Sequence, residues 1–179
     1  MTEIFQISQR HYDIITNQAM ENLPRESGGF LGGLKGVIRA ILPLQNKQSG
    51  DQTAKFGIDM EGDVSRAIQF FHKHKLDYFG AYHSHPNGIA YPSKQDLIAG
   101  QKVENRIKSK QGVYHYHFII GAKKDHEPVL ASYKVVGKTV VSIPIQIISN
   151  ASFSVVDIHT GEVSRSSGPK TMQEEAELL

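Results

Sequence analysis

Cysteine is absent from all 179 residues. No disulfide can staple this chain, and no thiolate zinc site, cysteine nucleophile or iron–sulfur cluster can form. The fold must therefore rest on a buried apolar core, and any metal chemistry must come from histidine and carboxylate. The C-x-x-C pair of the zinc deaminases is excluded on the same ground. At 39% apolar residues and 21% charged ones, the chain has the makings of a core and is not disordered overall. A length of 179 residues suits one domain better than two. The net charge of +2 implies no strong attraction to nucleic acid or to a membrane surface. The start, Met1-Thr-Glu-Ile-Phe-Gln-Ile7, lacks a basic segment followed by an apolar run, and no stretch reaches 18 apolar residues. Neither a signal peptide nor a membrane span is expected, and the expected location is the cytoplasm.

Periodicity predicts a short strand at Ile4–Ile7, then a helix capped by Ser8 and running to about Asn22, closed by Pro24. The glycine-rich run Glu26–Leu34 and the branched run Val37–Leu44 read as a hairpin with Lys35-Gly36 as its turn. Gln45–Thr53 reads as a loop. A second helix is expected over Asp63–Lys75, a strand over Tyr78–Ser84, a loop over His85–Pro92 and a third helix from Ser93 to about Lys108. Strands are expected at Tyr114–Gly121, Val129–Val136, Thr139–Ile148 and Phe153–His159. Residues 1–160 then form one α/β domain, a single mixed sheet flanked by about three helices. Residues 161–179 read as a polar, mobile tail whose acidic end could form a short helix. The regular β-α-β alternation of a doubly wound parallel fold is missing.

Nine histidines invite a metal reading. At that frequency a random H-x-H pair is expected roughly 0.4 times, yet the chain has three: His72/His74, His83/His85 and His115/His117. His72 and His74 fall at a helix end, where residues two apart point roughly 200° from one another and where cations suit the dipole. They read as a solvated helix terminus. His115 and His117 alternate with tyrosines in a strand and read as a polar sheet face.

His83-Ser84-His85-Pro86 differs because it ends an apolar strand. Its two histidines would sit about 6.6 Å apart on one face, able to converge on one ion. Seven residues separate His85 from Ser93-Lys-Gln-Asp96. Ser-x-x-Asp is by itself a capping box. Finding it at that offset from any of three H-x-H pairs has a chance of roughly 1%. The two readings are compatible, since Asp96 in a first helical turn can reach back to the histidines. Two imidazoles and one carboxylate leave a zinc ion an open position, as in catalytic sites. A general base is not apparent from this spacing.

The H-S-H-P pair, the seven-residue gap and S-x-x-D together resemble the JAMM (MPN-plus) metalloproteases. That family also carries a glutamate in a P-x-E-x-x-G-x-L-x-G setting. Pro24-Arg-Glu26-Ser-Gly-Gly29-Phe-Leu31-Gly-Gly33 fits each position. The resemblance covers roughly residues 3–150 and shows no departure from the motif, which disfavours the scaffold subclass that lacks the ligands. It implies that His83, His85 and Asp96 bind Zn2+. It implies that Glu26 shuttles a proton from water to the leaving amine, and that Ser93 donates to the developing oxyanion. Ser84 and Pro86 would only shape the strand end. It implies a stand-alone prokaryotic type, cleaving a peptide or isopeptide bond after the C-terminal Gly-Gly of a ubiquitin-like or sulfur-carrier protein. Leu97–Gly112 leaves little room for the insertion used by chain-specific deubiquitinases, which favours a small carrier as partner. The alternatives are a metal-containing scaffold without turnover, and a hydrolase of small amide conjugates.

Overall fold

The computed structural model describes residues 3–46, 50, 53, 55–57, 62–111, 115–137, 139–149, 153–156 and 163–166, the last two segments and 106–111 without their side chains. The elements are β1 (Phe5–Ser8), α1 (Gln9–Glu21), β2 (Gly28–Leu34), β3 (Val37–Leu44), α2 (Asp63–Lys73), β4 (Asp77–His85), α3 (Lys94–Gln111), β5 (Tyr116–Gly121), β6 (Val129–Val136), β7 (Thr139–Ile143), β8 (Ile145–Ile148), β9 (Phe153–Val156) and β10 (Val163–Ser166). The strands form one mixed sheet in the order β10-β9-β3-β2-β4-β5-β6-β7, with β1 pairing both β3 and β8. One mixed sheet with three helices is the architecture expected from the sequence. No helix among the described residues is long and apolar enough to cross a membrane.

The helices cover both faces of this sheet. On one face α1 lays Ile15 and Ala19 onto Phe5, Ile7, Leu31, Ile38, Phe79, Tyr82 and Phe118. On the other, Val64, Ala67 and Phe71 of α2 and Val103 of α3 cover Phe30, Ala40, Leu42, Tyr78 and Ala81. Each such aromatic or branched side chain, once fully buried, contributes about 1.5–3 kcal/mol. α1 starts where expected: the Ser8 hydroxyl accepts from the His11 N–H at 3.2 Å, satisfying one free donor of the first turn. α2 ends two residues early, because Lys75 turns left-handed (φ 57°) and the Leu76 N–H closes onto the Phe71 carbonyl at 2.9 Å.

Strand β4 departs from simple alternation. Opposite β2, Leu31 pairs with Gly80 but Gly32 pairs with Tyr78, a β-bulge. In consequence Phe79 and Tyr82 lie in the α1-side core, while Tyr78 and Ala81 lie in the core under α2 and α3. Gly80 is needed there, since a Cβ would stand 1.9 Å from the Tyr116 carbonyl oxygen of β5.

Two expectations are corrected. Thr139–Ile148 is not one strand. Pro144 carries no N–H and divides it into β7, antiparallel to β6, and β8, parallel to β1; the Pro144 carbonyl accepts from the Phe5 N–H at 2.9 Å. The division of the chain at residue 160 also cuts a hairpin, because Val163–Ser166 pairs antiparallel with Phe153–Val156. Backbone ladders need no apolar side chains, so the polar composition of that segment concealed a strand. The acidic end over 173–179, read as a short helix, lies outside the described residues, as does Tyr114.

Candidate metal centre

The carboxyl end of β4 and the amino end of α3 meet at one point. From Ala81 onward β4 alternates without interruption, so His83 and His85 share the face under α2 and α3. Their Nε2 atoms lie 3.0 Å apart. Asp96, in the first turn of α3, faces both: Oδ1 is 3.2 Å from His83 Nε2 and Oδ2 is 3.3 Å from His85 Nε2. The three side chains can present one donor atom each within 4.8 Å of one another. All three residues expected as ligands are therefore brought together.

The surroundings fix the orientation of these groups. His85 Nδ1 lies 2.9 Å from the Ile89 carbonyl oxygen. The ring must donate there, which leaves Nε2 as the nitrogen that faces the site. The loop that brings Ile89 back is itself anchored: the His85 carbonyl accepts from Gly88 N–H at 3.1 Å and Ala122 N–H at 3.0 Å. Asp96 and Ser93 cap α3 reciprocally, Ser93 N–H donating to Asp96 Oδ2 at 2.6 Å and Asp96 N–H to Ser93 Oγ at 3.2 Å. The capping box and the site carboxylate are one structure, as the sequence allowed.

Glu26 precedes β2, and the β2–β4 pairing carries it to the histidines: Gly28 lies opposite His83. Beyond that pair, Ser84 N–H donates to the Ser27 carbonyl at 2.8 Å and Ser27 N–H to Ser84 Oγ at 2.9 Å. Ser84 thus does more than shape the strand end; it fastens the residue next to Glu26. Glu26, Phe56, His85, Ser93 and Asp96 line one open cleft of about 390 Å³.

Electrostatics follow from this packing. Burial raises the Glu26 carboxyl, with Asp96 adding to the rise, while His83, His85 and the Phe56 N–H act against it. Burial also disfavours the Asp96 charge, but hydrogen bonds from His83 and His85 outweigh it and hold that carboxyl well below the usual range. Burial would lower His85, yet the Asp96 carboxylate reverses this and raises it. A carboxylate held ionised beside two imidazoles is a donor set of one negative and two neutral ligands, suited to a divalent cation. Glu26, kept off the cluster and with its proton affinity raised, is suited to proton transfer.

The other histidine pairs do not join this cluster. His115 and His117 are 5% and 6% exposed, buried rather than on an open polar face. His115 Nδ1 pairs with the Tyr78 hydroxyl at 2.9 Å, and burial holds both rings below the ordinary histidine range. With His83 and Asp96 they line a second cavity of about 290 Å³ behind the centre. His74 packs on Phe70, ring centroids 4.4 Å apart, at the end of α2. Sequence reading missed two contributors to the site, Asn46 and the Phe56 N–H, because a loop asparagine and a backbone donor leave no pattern.

Comparison with known proteins agrees with this architecture. A profile of the family described as prokaryotic homologs of the JAB domain matches residues 8–136. A solved structure from Desulfitobacterium hafniense is similar, at 21% identity and TM-score 0.63, over 81% of this chain and 93% of that one. A protein from Salinibacter ruber is similar at 21% identity and TM-score 0.52, over 80% and 92%. A JAB1/MPN domain protein from Archaeoglobus fulgidus is similar at 18% identity and TM-score 0.50, over 81% and 98%. At these identities the likeness shows the fold alone. No curated protein matches the chain.

Proposed function

The chain belongs to the family of prokaryotic homologs of the JAB domain, and from that premise we propose that it is a zinc-dependent metallopeptidase. Its proposed reaction is hydrolysis of a peptide or isopeptide bond after the C-terminal Gly-Gly of a small ubiquitin-like or sulfur-carrier protein. The observation that carries the reading is the convergence of His83, His85 and Asp96 within 4.8 Å at a cleft that also holds Glu26 and Ser93.

The donor set fits a zinc ion: two imidazole nitrogens and one carboxylate, with the cleft on the remaining side. Bound there, zinc supplies Lewis acidity, polarising a carbonyl and acidifying water. The chain's own residues do the rest. His83, His85 and Asp96 hold the ion, and the Ile89 carbonyl keeps His85 in the ligating tautomer. The Glu26 carboxylate takes a proton from the attacking water and returns it to the leaving amine nitrogen. The Ser93 hydroxyl, whose oxygen accepts from Asp96 N–H, keeps its own proton for the oxygen of the scissile carbonyl as charge develops.

The test is cleavage of ubiquitin extended by a peptide past Gly-Gly, and of short Gly-Gly peptides, by zinc-loaded protein. Glu26→Gln should keep its zinc and lose rate by about 10²–10⁴. Ser93→Ala should lose about 10²–10³, read beside its melting temperature because the lost cap costs about 1 kcal/mol. Full activity in zinc-loaded Glu26→Gln sinks the mechanism. Zinc binding by a wild type that cleaves none of these substrates favours the scaffold instead.

A further inference from the structure

One polar side chain outside the reaction above ties together the backbone around the cleft. Asn46 follows β3. Its Nδ2 donates to the Glu26 carbonyl at 3.1 Å and to the Lys55 carbonyl at 2.8 Å. Its Oδ1 accepts from the Gly57 N–H at 3.2 Å. A carboxamide offers two donors and one acceptor site in a plane, and these three partners use both kinds. The opposite amide orientation would set oxygen against two carbonyl oxygens, so the contacts define the side chain's direction.

Between the two anchored residues of that loop lies Phe56, which lines the cleft beside Glu26 and whose backbone N–H favours the Glu26 carboxylate. Asn46 therefore ties the backbone from which the Glu26 side chain grows to the loop that faces its carboxylate. We propose that Asn46 is a positioning residue that sets where the Glu26 carboxylate stands in the cleft. The proposal rests on the reading of Glu26 as the proton carrier. Phe56 lines the cleft and also the cavity behind it, so the same clamp sets the wall between them. Displacing a catalytic group by about 1 Å can cost about 10²-fold in rate, which is the scale on which such a clamp matters.

The experiment has two readouts. In metal-free protein, amide exchange and NMR shifts are followed at Phe56 and Gly57, in wild type and in Asn46→Asp and Asn46→Ser. Asp is isosteric and keeps an acceptor for Gly57 while losing both donors; Ser is the smaller second choice should Asp not fold. The expected result is exchange faster by about tenfold or more at both amides. The shift that Glu26→Gln causes at the Phe56 amide in wild type should disappear in the Asn46 variants. In zinc-loaded protein acting on the ubiquitin–peptide fusion, each variant should lower kcat about 10–100-fold, with KM and zinc content little changed. In a Glu26→Gln background the same substitution should cost less than about twofold, since the two act as one unit. An equal loss in both backgrounds overturns the proposal, as does unchanged exchange at Phe56. If wild type cleaves nothing, the peptidase reading falls, and the amide readout alone decides whether Asn46 sets the Glu26 carboxylate.

Discussion

At the residue scale, the centre depends on groups that each do two jobs. Asp96 caps α3 through Ser93 N–H while facing both imidazoles, and His85 uses one nitrogen on Ile89 while the other faces the site. Asp96→Asn should therefore reduce zinc affinity by more than the 10–100-fold typical of losing an outer partner, whereas Glu26→Gln should leave it nearly unchanged. Elemental analysis after dialysis against a competing chelator distinguishes them; equal zinc retention in Asp96→Asn and wild type would move the metal elsewhere. The ligands were legible because they lie in two short runs at a fixed offset. Glu26 was legible only through the family pattern, since it reaches the cluster by sheet pairing across 57 residues to His83. Asn46 was not legible at all: the three partners described for it at the cleft are main-chain atoms, and a main-chain atom has the same appearance in every sequence.

At the element scale, the bulge in β4 is the feature on which the site turns. Gly80→Ala should cost about 1–3 kcal/mol, as overpacking does, because the added carbon meets the Tyr116 carbonyl of β5. It should also weaken zinc binding although no ligand is touched, because both histidines follow on the same strand. Urea denaturation of chelated protein measures the first effect and competition dialysis the second; a stable variant with native zinc affinity would show that the bulge is dispensable. Helices and hairpins were legible from their periods and caps. The bulge was not, because alternation read forward from Tyr78 gives no sign that it breaks. Pro144, by contrast, stood in the sequence as a division of Thr139–Ile148 that the apolar pattern on either side outweighed.

At the scale of the whole molecule, two helical layers bury histidines that cannot easily carry charge. Burial, with Arg10 adding to it, lowers His11 from 6.5 to about 4; burial, with His83 adding, lowers His117 to about 4. These groups bind protons more readily unfolded than folded, so stability should fall as pH drops from about 6.5 toward 4. Each contributes up to about 1.4 kcal/mol per pH unit. His85, raised by Asp96, works in the opposite sense in metal-free protein. Urea titrations of chelated protein at pH 7 and pH 5 should show the net loss, and His11→Asn should flatten it; a midpoint that rises on acidification would refute the assignment. The bulge has a further consequence on this scale. Strand direction has parity, and one extra residue in β4 decides which helical layer the histidines meet. Inserting a single codon between Gly80 and Ala81, with the one-residue bulge kept, would turn His83 and His85 toward α1 with every ligand still spelled in the gene. A lineage can thus abandon this centre by a length change, and the motif text alone would not reveal that it had.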